Sequence, residues 1–122
     1  MIRNHYKLLT IRFYLGKPVV YISRSKYSIR KGESVVLQCN MYGKTNPVIT
    51  FVRWFKQDGT TENNLANSTQ KYSGGNLQNP ALTILNAAYS DTGIYKCKAY
   101  NSKGQSYATT ELIVWGKLNW RA

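Results

Sequence analysis

Acid–base and metal-ligating side chains are scarce in this chain: one histidine, His5, and five carboxylates, Glu33, Asp58, Glu62, Asp91 and Glu111, among 122 residues. Catalysis needs positioned acids, bases, nucleophiles or ligands, and these five acids stand far apart along the sequence. His5 falls in a stretch without hydrophobic pattern and reads as an incidental surface side chain. No catalytic residue, metal site or cofactor is expected. Nor does any apolar run reach the roughly 18 residues a membrane-crossing helix needs. The nearest thing to a targeting signal, Leu8 to Leu15, is split by Arg12 and is followed by no small-residue cleavage site of the usual kind.

Present in excess are positive charge and tyrosine. Seventeen Lys and Arg against five acids give a formal charge of +12, a field that attracts polyanions and acidic surfaces but says nothing about fold. Nucleic-acid binding has only this net charge in its favour and no recognised motif. Ten Tyr against three Phe mean that many large side chains carry a polar tip that must reach water or a partner, which suits half-exposed sheets. The length falls in the range of one domain.

Residues 1–16 show neither period 2 nor period 3.6 and read as a leader or linker remnant. A domain over 17–115 and a short tail over 116–122 follow. Within the domain, β-branched and aromatic residues alternate with polar ones. Turn signals break the pattern at Lys31-Gly32, Gly43, Asp58-Gly59, Gly74-Gly75, Asn79-Pro80, Asp91-Thr92-Gly93 and Lys103-Gly104. Short strands with regular turns predict an all-β sandwich or barrel. Successive residues of a strand face opposite ways, so Val35, Leu37 and Cys39 share one face, Val52 and Trp54 another, and Tyr95, Cys97 and Ala99 a third. Two inward cysteines on separate strands, with an inward tryptophan between them, form the most specific constellation in the chain.

Cys39, Trp54 and Cys97, with Leu82-Thr83-Ile84, the string Asp91-Thr92-Gly93-Ile94-Tyr95-Lys96-Cys97 and the close Asn101-Ser102-Lys103-Gly104, resemble the immunoglobulin superfamily. Within it they look like the intermediate set of adhesion, matrix and muscle proteins. An antibody-like variable domain would show a longer stretch between Trp54 and Asp91. The similarity covers roughly residues 18–114. It implies a two-sheet Greek-key sandwich with Trp54 packed on an inter-sheet Cys pair, and Tyr95 at the tyrosine corner. Leu82, Asp91 and Gly93 complete the core signature. Asp91 would cap the turn before its strand, with Lys71 as a basic partner. Two departures stand out: the segment between Cys39 and Trp54 is long for this set, and the polar stretch 58–70 leaves open whether a strand lies there.

The Cys39–Cys97 bridge is expected in an oxidising compartment, while in cytosolic relatives both thiols would stay reduced. Asn67-Ser68-Thr69 is a sequon for glycosylation of a secreted chain. The resemblance places the strand of Trp54, the strand of Cys97 and the last strand of the domain in one sheet, so its outer face would carry Arg53, Phe55, Lys96, Lys98 and Tyr100, with both lysines turned to solvent. Cations beside aromatics suit a protein contact, so the expected partner is a protein, another immunoglobulin domain being one candidate. A second basic group, Arg24, Lys26, Arg30 and Lys31, has the composition of a polyanion patch for a sulfated glycan. The expected function is non-catalytic protein recognition or cell adhesion, as a module of a larger extracellular, matrix or receptor protein. The alternative is a cytoplasmic, cytoskeletal immunoglobulin repeat of a muscle or actin-associated scaffold.

Overall fold

Alternating burial along three short runs builds the core. Val35, Leu37 and Cys39 are buried while Val36 and Gln38 are exposed, Val52 and Trp54 are buried while Phe51 and Arg53 are exposed, and Tyr95, Cys97 and Ala99 are fully enclosed. The computed structural model describes residues 16–42, 47–66, 68 and 70–116. Among these residues it contains ten strands: β1 Val20–Tyr21, β2 Lys26–Arg30, β3 Val35–Leu37, β4 Asn40–Met41, β5 Phe51–Asp58, β6 Thr61–Asn64, β7 Tyr72–Gly74, β8 Leu82–Ile84, β9 Gly93–Asn101 and β10 Gly104–Trp115. A single 3-10 turn, Tyr89–Asp91, precedes β9.

One sheet has the order β2-β10-β9-β5-β6, and the facing layer consists of β3-β8-β7 and the pair β1-β4. The first strand therefore changes sheets. Its start, β1, pairs antiparallel with β4, and its continuation, β2, runs parallel to β10 with Tyr27 opposite Leu112 and Ile29 opposite Val114. Between β3 and β4 the backbone N–H of Gln38 donates to the Tyr27 hydroxyl at 3.1 Å, so a side chain from the opposing sheet occupies the ladder's place there. The two layers bury one cluster including Leu37, Trp54, Leu82, Ile84, Tyr95 and Leu112. Across it runs the Cys39–Cys97 disulfide, with its Cα atoms 6.4 Å apart, inside the usual bridging range. The immunoglobulin-like all-β sandwich expected from the sequence is the fold observed.

The polar stretch after Asp58 does contain a strand. Asp58 and Thr61 are register partners across a two-residue connection in which Gly59 takes a left-handed φ of 63°, the conformation such hairpins favour. Backbone pairing to β5 holds β6 in place, and as an edge strand it needs no apolar face.

At the base of β9, the Tyr95 hydroxyl donates to the Asp91 carbonyl at 2.5 Å. The Asp91 carboxylate accepts the Ala88 N–H at 2.7 Å and pairs with Lys71 at 2.6 Å. Burial, with the neighbouring Tyr72 and Asp91 adding to it, pushes the Tyr95 phenol above its ordinary range, which keeps it a donor. Trp54 donates its indole N–H to the Pro80 carbonyl at 2.7 Å, satisfying the polar atom of an otherwise apolar side chain.

Candidate protein-binding face

The outer face of the five-stranded sheet follows from strand parity and register. β5 sends out Phe51, Arg53 and Phe55, and β9 sends out Ile94, Lys96, Lys98 and Tyr100. Opposite them, Phe51 pairs in register with Tyr100, Arg53 with Lys98 and Phe55 with Lys96. On the other side of β9, Tyr107 of β10 is the register partner of Lys98. All five residues expected on this face, Arg53, Phe55, Lys96, Lys98 and Tyr100, thus lie together on it.

Their exposure differs from the expectation in one respect. Lys96 and Lys98 are not solvent-facing charges: their side chains are only 13% and 16% exposed. Glu62 of β6 reaches over β5 and pairs with both, contacting Lys96 and lying 2.8 Å from Lys98. The hydrogen bond from Lys96, then that from Lys98, holds the Glu62 carboxyl below its ordinary value of 4.5. Each lysine also leans diagonally over an aromatic ring. Lys96 lies 4.3 Å from the Tyr107 centroid and Lys98 lies 4.5 Å from that of Phe55. The physical reason for the correction is β6, whose formation brings a carboxylate over two cations that parity alone leaves bare.

With both lysines half-buried and sharing one carboxylate, the accessible material is largely aromatic. Phe51 is 41% exposed and stacks on Tyr100 with ring centroids 4.2 Å apart, and Tyr107 is 57% exposed. Arg53 is the exposed cation of this strip, its guanidinium 5.2 Å from the Phe51 ring. Sequence reasoning passed over Phe51 although its signal was present, since counting back by two from Arg53 puts it on the same face. Glu62 carried no comparable signal, because its placement depends on the pairing of a polar edge strand.

The other sequence-derived sites lie in the core, at the β2 edge of the same sheet, or outside the described residues. Leu82 is buried against Trp54's side of the core, and Gly93 opens β9. Lys26 and Arg30 lie on β2, with Arg24 before it and Lys31 just after, all exposed. Asn67 and His5 lie outside the described residues.

The family profile described as the immunoglobulin I-set domain matches residues 18–114. The chain is 31% identical over 100 residues to the mouse (Mus musculus) leucine-rich repeat, immunoglobulin-like domain and transmembrane domain-containing protein 3, covering 82% of this chain and 14% of that protein. It is 33% identical over 90 residues to human (Homo sapiens) contactin-4, covering 74% of this chain and 8% of that one. Among solved structures, the N-terminal Ig1-2 module of the Drosophila receptor protein tyrosine phosphatase DLAR superimposes with a TM-score of 0.65 at 28% identity, over 85% of this chain and 47% of that module. The chain thus spans a small fraction of the length of these curated relatives. Fold, buried Cys39–Trp54–Cys97 arrangement and profile agree that this chain belongs to the immunoglobulin I-set domain family.

Proposed function

We propose that this chain is a non-catalytic recognition module of a larger cell-surface or extracellular protein, and that it binds another protein through the outer face of the β2-β10-β9-β5-β6 sheet. The observation that carries the reading is the exposed Phe51, stacked on half-buried Tyr100, and the exposed Tyr107, on a face where Glu62 is shared between Lys96 and Lys98. Aromatic area beside paired charge costs less to desolvate than bare lysines would, and Tyr, Phe and Arg are enriched at interface cores. Arg53 adds an exposed cation beside the Phe51 ring, which fits a partner with an acidic group beside an apolar patch. The disulfide supports an oxidising compartment, as do relatives whose names carry a transmembrane domain or a receptor phosphatase.

Surface plasmon resonance against candidate ectodomains tests the face. Truncating Phe51 or Tyr107 to Ala should shorten residence with little change in association, because apolar anchors act mainly on dissociation. Arg53→Glu should slow association in a manner that fades with salt. Unchanged binding by all three variants to a partner that the parent domain binds would remove this face as the contact surface.

A further inference from the structure

We infer that β2, an edge strand of the five-stranded sheet among the described residues, carries a second site, a polyanion site built for a sulfated glycan. The carboxylates of the molecule are unevenly spent. Asp91 pairs with Lys71, Glu62 with Lys96 and Lys98, and Asp58 sits in the hairpin at the opposite edge of the five-stranded sheet. Along β2 the cations meet aromatic rings instead. The Arg24 guanidinium lies 4.5 Å from the Tyr27 centroid, that of Arg30 lies 4.9 Å from Trp115, and the Lys31 ammonium lies 5.0 Å from Tyr89. Arg24 is further held by donating its Nε–H to the Lys26 carbonyl at 3.1 Å.

The difference matters because a ring face steadies a cation without cancelling its charge, whereas a carboxylate removes it from the field. Cations held in place lose less freedom when a ligand arrives. Two acids are near. Glu111 stands 4.0 Å from Lys26, but both side chains are more than 40% exposed, a geometry worth little in water. Glu33 accepts the backbone N–H of Arg30 at 2.9 Å. β2 rises about 13 Å from Lys26 to Arg30, with Arg24 just before it and Lys31 in the turn after, so the positive charge is spread along the edge rather than held at a point. A linear, flexible polymer bearing a sulfate at intervals matches that layout.

The test is elution of the intact chain from immobilised heparin, with isothermal titration of a size-defined heparin oligosaccharide and of a single-stranded oligonucleotide of equal charge. Thermal melting confirms that each variant is folded. Arg24→Gln, Arg30→Gln and Lys31→Gln should each elute at lower salt and reduce the slope of log affinity against log salt by roughly one. Lys103→Gln removes the same charge from an exposed turn at the end of β9 and should elute like the parent. Tyr89→Leu leaves net charge unaltered, yet should weaken binding because Lys31 loses its support. The inference is overturned if Lys103→Gln shifts as far as the β2 variants, if Tyr89→Leu binds as the parent does, or if the oligonucleotide binds as tightly as heparin.

Discussion

Glu62 of β6 and Lys98 of β9 form an ion pair at 2.8 Å across the intervening strand β5. The same carboxylate also pairs with Lys96. Two strand spacings amount to about 10 Å, a gap that only a long acid and a long base reaching toward each other can close. The pair roofs over Phe55 and ties the edge strand to the centre of the sheet.

A pH dependence follows from that contact. Because the folded-state pKa of Glu62 is lowered, its stabilisation is present above the unfolded value and is lost as pH falls through the folded value. Glu62→Gln should therefore be less stable than the parent near neutrality, and the difference should shrink toward zero in acid. Urea midpoints of both proteins across that range measure it, and a gap that widens on acidification would contradict the sign.

Trp54 is 2% exposed and bonded to the Pro80 carbonyl. Replacing it with Ala empties a large aromatic site in the core, at a cost of about 3–5 kcal/mol. Chemical denaturation reads this directly. A midpoint unchanged from the parent would be incompatible with the packing described.

Gly74 has φ of 75°, and a Cβ there would stand 2.4 Å from the Ala81 carbonyl oxygen. Gly74→Ala should destabilise by more than about 1 kcal/mol, since both the conformation and the space refuse a side chain. Gly32 shares the left-handed φ but has nothing within 4 Å of a built Cβ, so Gly32→Ala should cost less. Thermal melts of the two variants side by side separate steric conflict from backbone strain.

The disulfide closes a separation of 58 residues, which corresponds to about 4 kcal/mol in the chain-entropy account. The double variant Cys39→Ala, Cys97→Ala should lose an amount of this order in equilibrium denaturation. Mass measurement of the native chain without reductant should show two hydrogens fewer than the reduced form. The full reduced mass in material kept oxidising throughout would instead favour the cytoplasmic alternative.

Local backbone geometry determined much of this protein from its sequence alone. Strand side chains alternate with period 2 whatever the strand pairs with, so the inward set of Cys39, Trp54, Tyr95 and Cys97 and the outward set of Arg53, Phe55, Lys96, Lys98 and Tyr100 were legible before any coordinates. Nonlocal pairing was not. The first strand's passage from β4 to β10 depends on partners 19 to 21 residues away at its start and 85 residues away at its continuation. The polar run Thr61–Asn64 becomes a strand through backbone bonds to β5 that leave no hydrophobic trace. The charge state of the sheet's outer face belongs to this second class. Parity says which way a lysine points, but only the tertiary structure decides whether a carboxylate, as Glu62 does for Lys96 and Lys98, or an aromatic ring, as Trp115 does for Arg30, meets it there. Electrostatic partnership depends on distance in space, which sequence separation does not encode.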